Sequence, residues 1–265
     1  RSLPSVINQS LKPFEIIIVD DGSDNDKAEV IINSFQGLTD ISIVYKKKSN
    51  GGPSSARNIG IKLAKGEFIL FIDADEVSTP EFASAAQTAV RTANSNVAGF
   101  YCCWKMMLYG KWLKYSDSFP KWQFRILKKG KARYRDAGHA MKESEIQGKI
   151  EFLHEPYLHY AFSKGWTFWF NRHNRYSSLE AKERLQTNYK IQDMVSRNQS
   201  IRKEAIKQFM SRLPGWPLIR FAHSFFFKGG ILEGIPGLLY SINISIYEYM
   251  IQLKMFEMKM ESKKE

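Results

Sequence analysis

The chain has 265 residues, of which 43% are hydrophobic and 25% charged, and it carries a formal net charge of +12. That length and usage allow one large domain, or a domain with a sizeable appendage, and they exclude a mostly disordered chain, a collagen-like fibre and a disulfide scaffold. The charge is uneven: residues 1–100 carry 10 Lys/Arg against 12 Asp/Glu, residues 101–200 carry 19 against 9, and the remainder 10 against 6. A basic middle attracts phosphates, whether on a nucleotide, a lipid head group or a nucleic acid.

In chain order, Ser5 to Gln9 reads as the end of a helix that Lys12-Pro13 interrupts. Phe14–Val19 is a short β-branched run closed by Asp20-Asp21-Gly22-Ser23, the pattern of a buried parallel strand ending in a polar turn. A helix with Val30, Ile31, Ser34 and Phe35 on one face follows, then a strand over Ile41–Tyr45. The segment Lys46–Pro53 is a loop, and Ser54-Ser55 caps a helix that runs through Lys65 and stops at Gly66. Glu67–Ile72 is a third strand, ending in Asp73-Ala74-Asp75-Glu76. Strand, helix, strand, helix, strand predicts an α/β fold with a mostly parallel central sheet covered by helices. Polar residues at the carboxyl ends of such strands lie where ligands bind, so both acidic clusters are predicted to face one cleft.

From about residue 97 the pattern changes to short strands with aromatic and basic residues interleaved: Gly99–Leu108, Phe124–Leu127 and Ala132–Arg135. Residues 164–188 form an aromatic-rich helix, and beyond residue 200 two long helical patterns flank Gly229-Gly230 and Pro236-Gly237. This divides the chain into residues 1–98, residues 99–163 and a helical, amphipathic extension at 164–265. In the extension, apolar residues from Phe221 to Phe256 recur at helical spacing, which fits either docking on a core or lying in a membrane interface. No uncharged apolar run reaches the roughly 18 residues a membrane span needs. Cys102 and Cys103 are adjacent and do not bridge each other, which agrees with a reducing compartment.

Three segments carry candidate chemistry. Asp73-x-Asp75 sets two carboxylates at a strand end, where they can approach one Mg²⁺ or Mn²⁺ whose shell a substrate phosphate completes. Alone, the same triplet is common in solvated loops. Asp20-Asp21-Gly22-Ser23 is good turn chemistry, and after a buried strand its carboxylates can also accept hydrogen bonds from a nucleobase or ribose. Asn50-Gly51-Gly52-Pro53 allows close backbone approach beside a helix N-terminus, and Arg57, one turn in, serves either an anion or a surface ion pair.

Together, VDDGSD and NGGPSSARNIGIKLAKGEFILFIDADE resemble the inverting family 2 glycosyltransferases with the GT-A nucleotide-sugar fold, over roughly residues 3–100. The resemblance implies a nucleotide-diphosphate-sugar donor, with UDP favoured by family habit, held by Asp20, Asp21, Arg57 and Asp73. It also implies a metal at Asp73 and Asp75, with Asp75 the direct ligand. The family opens with a strand that here would precede residue 1. The stretches Gln123–Leu127, Gly138–Glu143, Leu158-His159-Tyr160 and Asn171–Ser177 are similar to a branch adding sugars to bacterial lipopolysaccharide cores or exopolysaccharides. That branch implies a saccharide or lipid-linked acceptor, an anionic membrane surface as partner, and a cytoplasmic, peripheral location on the inner face of the membrane.

An inverting displacement needs a general base, for which the resemblance points to Glu143, with Glu145 as understudy. Relatives in this branch carry His-Glu side by side, whereas here Ala140 follows His139. His139 either contacts a phosphate or packs, and Arg125 suits a diphosphate or the acceptor. Trp166 stands on an aromatic-basic stripe with Trp169, Phe170, Arg172, His173 and Arg175, which suits an acceptor or a core. A polyprenyl-phosphate sugar synthase is the nearest alternative. A non-catalytic nucleic-acid binder is the alternative of another class: the basic charge suits it, but two acidic clusters at strand ends repel a phosphate backbone and no reader motif is present.

Overall fold

A computed structural model describes all residues except 1, 25, 36, 138, 139, 188, 189 and 263–265. The chain divides into two compact units. One comprises Arg1–Met107 and Phe119–Ala161, the other Leu108–Ser118 and Phe162–Glu265. The 98/99 boundary of the sequence reading lies inside a strand of the first unit.

The first unit begins with a short helix α1 (Ser2–Ile7), then β1 (Glu15–Asp20), α2 (Lys27–Asn33), β2 (Ser42–Lys47), α3 (Pro53–Leu63), β3 (Phe68–Leu70), β4 (Glu76–Val77), α4 (Pro80–Thr92) and β5 (Val97–Leu108). A two-residue β6 (Lys111–Trp112) follows, and the unit continues with β7 (Trp122–Lys128), β8 (Arg133–Ala137), β9 (Ala140–Ser144) and β10 (Lys149–His159). β1 and β2 pair in parallel as a sheet of their own. The large sheet runs β3-β7-β5-β10-β4.

This corrects the expectation of a mostly parallel sheet. β7 lies antiparallel between β3 and β5, and β4 lies antiparallel beside β10, so only β5 and β10 run parallel in the large sheet. The first three strands do not form one continuous ladder because the partner of β3 is β7, which arrives more than fifty residues later in the chain. Such non-local pairing leaves no trace in local periodicity.

The core lies between α4 and the large sheet: Phe82 and Ala86 meet Val97, Phe100, Cys102, Ile126, Leu153 and Tyr157. Thr79 caps α4 by accepting from the Phe82 N–H, and Pro80 takes the first helical position, where no N–H is needed. Both cysteines are buried and free, and burial pushes their thiols up to about 12 and about 11, which leaves them unreactive. α2 departs from the predicted face: Ile32 is buried, while Val30 and Ile31 are exposed. At seven residues it is too short to present a full stripe.

The second unit is helical: α5 (Trp166–Gln186), α6 (Gln199–Met210), α7 (Trp216–Ala222) and α8 (Ile235–Glu261), with a π-helical turn at His223–Phe227 and 3-10 turns at Ile191–Val195 and Gly230–Glu233. Pro236-Gly237, read as a break, instead opens α8, since proline is tolerated in a first turn. α8 packs along α5 and α7, with Ala181, Ile251 and Met255 at the centre. Within this unit Glu233 accepts from the backbone N–H of Tyr115 at 2.6 Å and from the Ser116 hydroxyl, and the Tyr240 hydroxyl donates to Asp117 at 2.6 Å.

Candidate active site

The site is built around the N-terminal turn of α3. On one side, β1 delivers Asp20 and Asp21 into the turn before Gly22. Asp20 is buried and accepts from the Ser23 N–H at 2.8 Å and the Tyr45 hydroxyl at 2.9 Å. Burial pushes its carboxyl up, but those hydrogen bonds outweigh it and hold the group below its ordinary value. Asp21 accepts from Lys48 and, at 3.0 Å, from the Gly51 N–H, which ties the first acidic turn to the glycine loop. Gly22 has φ +83°, and a Cβ there would meet the Asn50 nitrogen at 2.7 Å, so both conformation and space require glycine.

On the other side lies Asp73. Arg57 of α3 donates to its Oδ1 at 2.9 Å, and Arg125 of β7 donates to its Oδ2 at 2.9 Å. The Arg57 guanidinium also sits over the rings of Phe71 and Tyr134, 5.4 and 5.1 Å from their centroids. Burial raises the Asp73 carboxyl, but Arg125 and then Arg57 overcome this and hold it well below the usual carboxylate range.

Beneath Asp73 is a group the sequence reading did not assemble. Arg125 is only 2% exposed, pairs with the equally buried Glu76, and donates through Nε to the Tyr157 hydroxyl at 3.2 Å. Glu76 in turn accepts from the Asp73 N–H at 2.8 Å. Burial holds the Glu76 carboxyl above its usual value, while Asp73 and Glu76 drive the Arg125 guanidinium well above its own. Arg125 was expected to hold a diphosphate or acceptor. In the structure its Nε and Nη2 are engaged below the site, where Nη2 holds both Asp73 and Glu76, while its buried Nη1 has no hydrogen-bond partner among the described residues. The signal was an arginine between Phe124 and Ile126, the one cation in a run whose neighbours are core.

Asp75 and His159 stand together, with the His159 Nε2 3.8 Å from the Asp75 carboxylate. Burial raises the Asp75 carboxyl, and the neighbouring imidazole more than offsets this, leaving it below its ordinary value. The backbone fixes the pair, because Tyr160 N–H donates to the Asp75 carbonyl at 2.8 Å and β4 pairs with β10 at Glu76–His159. Both Asp73 oxygens accept from guanidinium groups, Oδ1 from Arg57 and Oδ2 from Arg125. Among the described residues no three His, Cys, Asp or Glu side chains converge as a metal cage. A carboxylate beside an imidazole does fit a divalent ion that brings further oxygen ligands of its own, as a diphosphate would.

Glu143 lies on β9 opposite Tyr134 of β8 and accepts a hydrogen bond from the Tyr101 hydroxyl. Burial and this carboxylate push the Tyr101 hydroxyl up to about 12, so it stays a donor. Asn58 of α3 clamps the same hairpin, donating to the Tyr134 carbonyl at 2.9 Å and accepting its N–H at 3.2 Å. Thus Tyr134 and Glu143 face each other across one strand pair, and Arg57 of α3 lies over the Tyr134 ring. Glu145 is instead exposed and faces Arg133 at 3.5 Å, away from this cluster. His139 lies outside the described residues. Trp166 belongs to the second unit, where its Nε1 donates to the Tyr109 hydroxyl at 2.7 Å and its ring packs on Phe162 and Trp169.

Polar turns at the carboxyl ends of strands, beside a helix N-terminus, lie where open α/β folds bind their ligands. The sequence profile of glycosyl transferase family 2 matches residues 1–148, more than half of the chain, and the chain belongs to that family. Three relatives place it among named proteins. An uncharacterized glycosyltransferase of Rickettsia bellii is 43% identical over 77 residues, covering 29% of this chain and 11% of that protein. The minor teichoic acid biosynthesis protein GgaB of Bacillus subtilis is 42% identical over 79 residues, covering 29% and 9%. The poly(ribitol-phosphate) beta-N-acetylglucosaminyltransferase TarP of Staphylococcus aureus is 38% identical over 80 residues, covering 29% and 24%. The matched stretch is therefore a small part of each relative. The mannosyltransferase PcManGT of Pyrobaculum calidifontis, solved with GDP-Man and Mn²⁺, superposes with a TM-score of 0.51 at 13% identity, covering 96% of this chain and 82% of that one. That likeness establishes the GT-A fold.

Proposed function

We propose that the chain is an inverting glycosyltransferase that moves a sugar from a nucleotide-diphosphate donor, a UDP-sugar, to a bacterial envelope polysaccharide or lipid-linked acceptor at an anionic membrane surface on the cytoplasmic side. The observation that carries this reading is the pair of acidic turns flanking α3, in which Asp20 accepts from Tyr45 and Asp73 accepts from Arg57 and Arg125. Asp20 and Asp21 receive the nucleoside, and Arg57 meets the donor's phosphates at the helix N-terminus. The names of GgaB and TarP support a wall-polymer acceptor of phosphodiester chemistry.

In the transfer, the acceptor hydroxyl oxygen forms a bond to the anomeric carbon while the bond from that carbon to the diphosphate breaks, and the diphosphate departs with the electron pair. Glu143 takes the hydroxyl proton, and Tyr101 orients it. Asp75 and His159 would hold a divalent ion, Mg²⁺ or Mn²⁺, which when bound offsets the charge on the leaving diphosphate. Arg125 and Glu76 keep the Asp73 loop in place.

The test is calorimetric titration with UDP, GDP and dTDP, with and without Mn²⁺, on the full chain and on Asp75→Ala and Glu143→Gln. One nucleotide should bind in a Mn²⁺-dependent manner, Asp75→Ala should lose that dependence, and Glu143→Gln should bind normally yet lose roughly 100-fold or more in turnover. Binding of none of the nucleotides would sink the donor assignment, and full activity of Glu143→Gln would move the base elsewhere.

A further inference from the structure

α8 is apolar on two faces. One is the core face, where Tyr240, Ile251 and Met255 are buried. The other lies open: Ile235, Ile242, Tyr249, Leu253, Phe256 and Met260 are 38–70% exposed. Every exposed large hydrophobic residue of the helix is in that set, and with the partly exposed Leu239 and Ile246 they step along the chain by alternating intervals of four and three. The eight positions fall within about 100° of the circumference of a straight helix, so they form one continuous apolar stripe, or seam, from residue 235 to residue 260.

We propose that this seam pairs with the same seam of a second copy of the chain, running antiparallel. Covering the exposed parts of these side chains takes roughly 700 Å² from each copy, near the ~800 Å² per partner of a specific interface. Side-chain size sets the direction. The aliphatic residues Ile235, Leu239 and Ile242 occupy the first half of the seam, and Tyr249, Leu253 and Phe256 the second. Parallel pairing sets Tyr249 on Tyr249 and Phe256 on Phe256, crowding one half and underfilling the other. Antiparallel pairing sets Leu239 against Phe256 and Ile246 against Tyr249, aliphatic against aromatic, with the evenly sized Ile242 and Leu253 between them. Such a contact is isologous and closes as a dimer. No charged side chain interrupts the seam itself.

The full chain at about 50 µM should show twice the chain mass by light scattering. Ile242→Glu and Phe256→Glu, both at exposed positions, should halve that mass with unchanged helix content by circular dichroism. Leu232→Glu, exposed but off the helix, should remain a dimer. Mixed Ile242→Cys and Leu253→Cys chains should cross-link on oxidation, whereas Ile242→Cys alone should not, because its two copies lie about 16 Å apart along the seam. A single chain mass for the native protein overturns the proposal, as does a dimer that survives both glutamate variants. Cross-linking of Ile242→Cys alone overturns the antiparallel order. Loss of vesicle binding in Ile242→Glu with no change in mass gives the seam to lipid and overturns the pairing.

Discussion

Asp20 shows how one residue's environment sets both chemistry and stability. Its carboxylate is buried yet ionised because Ser23 and Tyr45 donate to it. A folded-state pKa below the unfolded value of about 3.9 means its stabilising effect is complete above that value and lost as pH falls through the folded pKa. Urea midpoints measured between about pH 5 and pH 3 should therefore fall, and fall less steeply in Tyr45→Phe, which brings the folded pKa back toward the ordinary value. Identical acid limbs would show that Tyr45 does not hold Asp20 in its charged form. Arg125 makes a different point at this scale. Its residue type suggested phosphate recognition, and only its burial against Glu76 and Asp73 showed that it acts through another residue.

Elements are joined here by buried charge as much as by apolar packing. Arg184 of α5 meets Glu248 of α8 at 2.8 Å, Glu180 pairs with the same guanidinium at 3.1 Å, and the Trp216 indole of α7 donates to Glu248 at 3.0 Å. Burial lowers the Arg184 guanidinium and the bond to Glu248 more than restores it. Removing one partner of a buried pair strands the other, so Glu248→Leu should lower stability by about 3 kcal/mol, read from denaturant unfolding of the full chain. A loss of only a few tenths would show that Glu180 alone neutralises Arg184. At the same scale, β1, β2, β3, β5, β7, β8, α3 and α5 were legible from periodicity and punctuation, because each is specified by residues within one short window. The β9 and β10 strands were not, since β10 mixes charge with apolar residues along its length and is defined by its partners β5 and β4.

Over the whole molecule, charge and apolar surface are distributed for different tasks. Residues 101–200 carry a net +10, and Phe226, Phe227 and Leu232 stand 56–83% exposed in the second unit. Vesicles containing anionic lipid should bind the chain at about 50 mM salt and release it toward about 500 mM, with little binding to neutral vesicles. Equal binding to both vesicle types would assign the contact to the apolar side chains alone. Deleting residues 201–265 is not a clean probe of this, because Ile251 and Met255 form the core of the second unit. Among the described residues no helix is long and apolar enough to cross a membrane.

By itself the sequence determined the family, the α/β class of the first half and the two acidic turns, because strand ends, glycine loops and helix caps are local patterns that survive without a structure. Tertiary structure alone decided the sheet order, the engagement of both Asp73 oxygens, the Asp75–His159 pair and the place of Glu143 beside Tyr101. The Asp73–Arg125, Asp75–His159 and Tyr101–Glu143 contacts join residues 52, 84 and 42 positions apart. Whether a charged side chain meets ligand or counter-ion depends on what burial brings beside it, and burial is a property of the packed chain.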